Sequence, residues 1–201
     1  MSAPGPAAAP LVLSGHGVRL ESLSHAHAAG LRGATTDGAL WMLPYASAPV
    51  ADAASVAAYI EAALAGQAAG TMWPFAVTDD DGRILGSTRY YDIAPDVPNC
   101  AIGYTWYAAI AQRTHVNTAC KRLLLGHAFD TLGMQTVYFH TSHQNLRSQA
   151  AIERLGAKLD GVIRRHKRQR DGSLRDTYSY SIIAEEWPAV RDTLDDQLQR
   201  G

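Results

Sequence analysis

A chain of 201 residues suits one domain with enough length to bury a substantial core. Its 47% hydrophobic and 18% charged residues are those of an ordinary globular protein, and a net charge of −1 lacks the basic excess of a nucleic-acid binder. No apolar run approaches the ~18 residues of a membrane span, so neither nucleic acid nor membrane is an expected partner, and the cytoplasm is the default location.

Met1 to Pro10 is Ala- and Pro-rich and has no basic residue ahead of its apolar patch. It does not form a secretory signal and reads as a disordered lead-in, with residues 11–201 as a single domain. Val18 to Leu23 alternates apolar and polar and predicts a first strand. His25 to Arg32 and Ala51 to Ala65 read as helices. The second carries Val56, Tyr59, Ile60, Ala63 and Leu64 at helical spacing, with Asp52 in its first turn. Trp73 to Thr78 and Ile84 to Ile93 form a hairpin around Asp79 to Gly82, and a second turn near Pro95 to Asn99 leads into a strand over Cys100 to Tyr107.

From Val116 to Leu132 the period becomes helical. Val116, Cys120, Leu123, Leu124, His127, Ala128 and Leu132 share one stripe, Lys121, Arg122 and Asp130 lie largely off it, and Gly133 closes the helix. Val137 to Thr141 is a strand and Leu146 to Leu155 a helix. Leu159 to Arg168 and Arg175 to Ile183 form a hairpin about Asp171-Gly172, and Glu185 to Leu198 is a last helix. The order β-α-α-β-β-β-α-β-α-β-β-α implies an α+β fold with a mixed sheet flanked by helices. Cys100 and Cys120 make neither a disulfide framework nor a metal-ligand spacing. The eight histidines are scattered, so no metal is expected.

Two segments carry chemistry. Gln112 to Thr118 lies between a strand and a long helix, where free N–H groups and the positive end of the dipole suit a pyrophosphate. The bland alternative is a helix start capped by Thr114 or Asn117. Asn145 and Ser148 open the helix that ends at Gly156. Asn145 serves as its N-cap or hydrogen-bonds the amide of a ligand arm, with Ser148 one turn on, beside the reacting end of that ligand.

Both segments occur in order on a βα–βα passage. Gln112-Arg113-Thr114, Val116-Asn117-Thr118 and Lys121 to Phe129 stand upstream; Asn145, Arg147-Ser148, Leu155-Gly156-Ala157, Arg175-Asp176 and Glu186-Trp187 follow. On these residues the stretch Trp106 to Tyr180 resembles the GNAT superfamily of acyl-CoA-dependent N-acetyltransferases, and within it the subgroup related to ribosomal-protein-alanine acetyltransferases. Weaker matches at Val18 to Glu21 and Gly86 to Arg89 extend the likeness over nearly the whole chain. The resemblance implies a GNAT fold: a mixed, mostly antiparallel sheet in which two strands splay apart to bind acyl-CoA. Pantetheine would run along the ends of Cys100 to Tyr107, including Trp106 and Tyr107, and of Val137 to Thr141. Gln112 and the backbone of Arg113, Thr114, His115, Val116, Asn117 and Thr118 would cradle the pyrophosphate. Asn145 would hold the pantetheine arm, and Ser148 would lie near the thiol and protonate the leaving thiolate. The implied reaction is direct attack of an amine on the thioester of acetyl-CoA, its oxyanion held by backbone N–H groups.

Three departures stand against that pattern. The phosphate segment has no glycine, and Ala101 and Ala119 stand where relatives carry Glu. A general base contributes roughly 10²–10⁴-fold, so its loss matters. His143 and Asp92 are the candidate replacements, and Tyr104, placed by alternation on the face of Ile102 and Trp106, is a candidate lining of the acceptor pocket. The basic run Arg164 to Arg170 reads as a solvated hairpin tip, or as an attractor for an acidic acceptor or the CoA 3′-phosphate. A catalytically weak acyl-CoA-binding module of the same fold is the alternative function, and another donor such as succinyl-CoA is a third. The acceptor amine is unassigned, and a homodimer is allowed.

Overall fold

The computed structural model describes residues 10–94 and 96–200, so the expected lead-in lies, apart from Pro10, outside the described residues. Eight strands form one sheet: β1 (Val12–Gly15), β2 (Val18–Ser22), β3 (Met72–Asp79), β4 (Ile84–Ala94), β5 (Asn99–Tyr107), β6 (Thr136–Ser142), β7 (Lys158–Arg168) and β8 (Leu174–Ile183). Their order is β1-β2-β3-β4-β5-β6-β8-β7, and every neighbouring pair is antiparallel except β5 with β6. Strand β1 adds an element that the sequence pattern does not announce. It is only four residues long, and a two-residue turn at His16 (φ 55°) and Gly17 (φ 74°) pairs it with β2.

Helices α1 (Ala28–Thr36), α2 (Ala53–Ala68), α3 (Val116–Gly126), α4 (Leu146–Arg154) and α5 (Trp187–Arg200) flank the sheet. Asp52 stands just before α2, accepting from Ser55 N–H at 2.7 Å, and so caps the helix instead of lying inside its first turn. Helix α3 is α-helical only to Gly126. A π-helical stretch, His127–Thr131, follows where the Tyr90 hydroxyl takes up the Leu124 carbonyl at 2.6 Å, and Gly133 (φ 66°) ends it. Alternation along β3 divides the core: Phe75 and Val77 pack with α3 and α5, while Ala76 packs with α1 and α2 on the other face. Among the described residues no helix is long and apolar enough to cross a membrane.

The feature that positions the site is the parting of β5 from β6. They pair only at Asn99↔Thr136, Cys100↔Val137 and Ala101↔Tyr138, and beyond that Ile102 to Tyr107 and Phe139 to Ser142 diverge. A β-bulge against β4 lies on the same stretch. Ser87 pairs with Trp106 but Arg89 pairs with Gly103, so β5 carries an extra residue, and Tyr104 takes a left-handed φ of 51°. A bulge bends its strand and increases the local twist, which carries the end of β5 away from β6.

Candidate functional site

The gap between the diverging strands is a cavity of about 710 Å³, walled by β5, β6, α3, α4 and the loop from Leu40 to Ser47. Arg170, at the tip of the β7–β8 hairpin, fastens that loop. Its guanidinium donates to Trp41 O at 3.2 Å and Ala48 O at 2.6 Å, and its N–H to Pro44 O at 3.3 Å. The basic run is solvated over Arg164 to Arg168, as expected, but its last arginine holds a wall of the cavity in place.

At the open end, Gln112, Arg113 and Asn117 line the cavity beside the N-terminus of α3. Arg113 takes φ 62°, supplying without glycine the left-handed turn this loop needs, at a strain of about 1–2 kcal/mol. The N–H groups of Arg113, Thr114, His115, Asn117 and Thr118 have no partner among the described residues. Val116 differs: its N–H donates to Thr114 Oγ1 at 3.3 Å and its side chain is buried in the core, so it offers no free donor. The His115 ring sits over the β1–β2 turn, its Nε2 3.4 Å from where a Cβ on Gly17 would stand. Trp106 and Tyr107 reach the cavity while their side chains are buried elsewhere. Trp106 Nε1 donates to Tyr59 Oη at 3.2 Å, and Tyr107 packs in the α3-side core with its carbonyl accepting from Gln112 Nε2 at 2.9 Å.

Across the gap, Asn145 caps α4 by accepting from Ser148 N–H at 3.1 Å, which leaves its Nδ2 without a protein partner among the described residues. Asn145 and Ser148 both line the cavity, and Arg147 donates to Gln112 Oε1 at 3.1 Å, joining the two chemistry-bearing segments across its mouth. The structure does not bring His143 into this lining. Its Nδ1 accepts from Asp176 N–H at 3.2 Å and its own N–H donates to Asp176 O at 3.0 Å, an arrangement that ties the turn to β8.

The bulge reorders the faces of β5. Ile102 packs in the α3-side core and Trp106 with α2, so Tyr104 does not share one face with both. Tyr104 lines the cavity with its ring against Tyr91 (5.1 Å between centroids) and over the Arg89 guanidinium (4.6 Å), which is itself stacked on Tyr59 at 4.5 Å. His140 and Arg175 line the same cavity. Burial, reinforced by Lys167, His166 and Arg175 and opposed by Asp92, holds the His140 pKa below its ordinary value. Burial likewise keeps the Tyr91 hydroxyl protonated, and it shares a hydrogen bond of 3.0 Å with His140 Nδ1.

Two residues to which the sequence assigned no site role stand out. Lys121, expected off the apolar stripe, is buried and lines the cavity; it lies four residues from Asn117, a spacing that places both on one helix face. His140 alternates with Phe139 along β6, a signal as good as the proximity to Asn145 that favoured His143. Among the described residues no Asp or Glu lines the cavity, against Lys121 and Arg113, Arg147, Arg154 and Arg175. Among the described residues no cluster of three or more His, Cys, Asp and Glu is placed to hold a metal ion.

A family model described as an acetyltransferase (GNAT) domain matches residues 18–158, more than half of the chain. A candidate acetyltransferase from T. thermophilus is 31% identical with a TM-score of 0.84, covering 95% of this chain and 98% of that one. A GCN5-related N-acetyltransferase from Brucella melitensis is 26% identical with a TM-score of 0.87, covering 98% of this chain and 89% of that one. In fold the chain also resembles Mycobacterium smegmatis RimJ in complex with CoA-disulfide, at 21% identity and a TM-score of 0.77, with 94% and 93% covered. No curated protein matches.

Proposed function

The chain belongs to the GNAT acetyltransferase family and is an N-acetyltransferase; from that premise we propose that it transfers an acetyl group from acetyl-CoA to a primary amine, a protein N-terminus or a small molecule, by direct attack. The observation that carries the reading is the parting of β5 and β6 after Ala101 and Tyr138, which leaves two strand edges open along one cavity. An extended pantetheine arm has the length and the amide groups to pair with such an edge. The free N–H groups of Arg113 to Thr118, Val116 excepted, would take the pyrophosphate, with Arg113 and Arg147 adding charge. Asn145 Nδ2 would donate to a pantetheine carbonyl, and the thioester would lie near Ser148.

The amine nitrogen attacks the thioester carbon, the tetrahedral intermediate collapses, and the C–S bond breaks as Ser148 or water protonates the thiolate. Among the described residues no carboxylate lines the cavity, so none serves as the base. The amine enters neutral or loses its proton to water. Tyr104, His140 and Arg175 would form the acceptor side.

The test is donor binding followed by turnover. Acetyl-CoA is expected to raise the melting temperature. Asn145→Ala should weaken CoA binding and cost about 1 kcal/mol of stability through the lost cap. Ser148→Ala should lower turnover with little change in binding. No thermal shift at millimolar acetyl-CoA would overturn the reading. The absence of carboxylates from the lining also favours a second reading, a weak or inactive acyl-CoA-binding module. Binding without thiol release across a broad amine panel would select it.

A further inference from the structure

Lys121 is a buried cation to which the reaction above gives no task. Its residue is 6% exposed, and its Nζ donates to Thr105 Oγ1 at 3.2 Å and lies 5.9 Å from the centre of the Phe139 ring. Thr105 Oγ1 is itself tied to Thr88 Oγ1 at 2.8 Å. An ammonium has three N–H donors and only one is used here; no carboxylate pairs with it among the described residues. Helix α3 places Cys120, Leu124 and Leu125 in the core around it, so an apolar side chain would satisfy packing at this position. A buried, unpaired ammonium carries a large desolvation cost that an arriving negative charge offsets.

The position identifies that charge. Thr105 directly follows the bulged Tyr104, and Phe139 is the first residue past the last β5–β6 pair, so the Lys121 ammonium stands within the gap, beside the bulge. The free N–H groups suited to phosphate stand before and at the start of α3, a turn or more N-terminal to Lys121. A CoA thioester laid from there into the gap brings its reacting end to Lys121. When the amine nitrogen forms the C–N bond, the C=O π pair moves onto oxygen; its return expels the thiolate.

We infer that Lys121 donates to the thioester carbonyl oxygen and stabilises the oxyanion of the tetrahedral intermediate, a charged donor alongside the backbone of β5. Burial lowers its pKa to about 8, with Cys120 opposing, so at neutral pH it is mainly the ammonium. The inference rests on the acetyl-transfer reading of the cavity.

The experiment compares wild type with Lys121→Met, which keeps the bulk and removes the charge. Binding of CoA, acetyl-CoA and S-ethyl-CoA, a thioether without the carbonyl, is followed by calorimetry, and turnover is measured with one amine acceptor. Wild type should hold acetyl-CoA roughly tenfold tighter than S-ethyl-CoA, the size of a charge-assisted hydrogen bond. Lys121→Met should erase that difference, leave CoA binding unchanged, and lower kcat by roughly 10²–10³-fold. Lys121→Gln, which keeps a donor without charge, should fall between. A Lys121→Met protein with the carbonyl preference and turnover of wild type overturns the proposal. So does equal weakening of all three ligands, which marks a structural role. A wild-type preference for succinyl-CoA that Lys121→Met alone abolishes overturns it too, making the residue a selector of the acyl chain. Wild type that binds no thioester or CoA overturns the underlying reading as well, whereas binding without carbonyl dependence overturns this proposal alone.

Discussion

Lys121 and Asn145 show how one residue's context decides its chemistry. Asn145 was legible from sequence as a cap and as a ligand contact, and the structure leaves room for both: Oδ1 serves the helix while Nδ2 stays without a protein partner among the described residues. Lys121 was not legible, because a helical wheel assigns polar residues to solvent, and only the parting of two strands makes an inward lysine useful. Its burial has a consequence for stability. The folded state lowers its pKa to about 8 from 10.5, which disfavours the charged form. Between those values the unfolded chain keeps a proton the folded chain has released, so this group's contribution rises with pH across that window and is a constant cost below it. Removing the charge with Lys121→Met should therefore raise stability at pH 7, by about 3 kcal/mol at most, and cancel the rise. Urea unfolding of both proteins from pH 7 to 10.5 checks this, and parallel pH profiles would refute it.

At the scale of elements, periodicity located every strand from β2 to β8 and all five helices, while β1 was too short to show a pattern. The bulge in β5 left no trace in sequence. A strict two-residue period cannot signal its own interruption, and the residue that absorbs it is Tyr104, not a glycine. For that reason the faces of Ile102, Tyr104 and Trp106 were misread. Gly86 shows how closely β4 and β5 approach beside the bulge. A Cβ there would stand 2.1 Å from Trp106 O and 2.9 Å from Tyr107 Cα, both backbone atoms that cannot rotate aside. Gly86→Ala is expected to force the strands apart, costing upward of roughly 2 kcal/mol. Because the displaced Trp106–Tyr107 edge lines the cavity, CoA affinity should fall with it. An unfolding midpoint and CoA affinity equal to wild type would contradict this account.

Over the whole molecule, a net charge of −1 hides a segregation of sign. Helices α3 and α4, strand β8 and the loop before α3 bring four arginines and a lysine to a cavity without carboxylates, a gathering that composition cannot reveal. Arg175 stands on the acceptor side and no carboxylate lines the cavity among the described residues, so acceptor amines that also bear a carboxylate or phosphate should be used better than polyamines. Their kcat/KM should fall as salt rises toward 0.15 M, where screening acts within about 8 Å. Kinetics with an acidic peptide and with spermidine at two ionic strengths decide the point, and a preference for spermidine would refute it. The loop from Leu40 to Ser47 has a different implication. It belongs to the cavity, but Arg170, some 120 to 130 residues later in the chain, fastens it. For protein engineering the loop and the hairpin tip are one transplantable cassette: a loop grafted from a relative keeps its shape only if its distant latch travels with it.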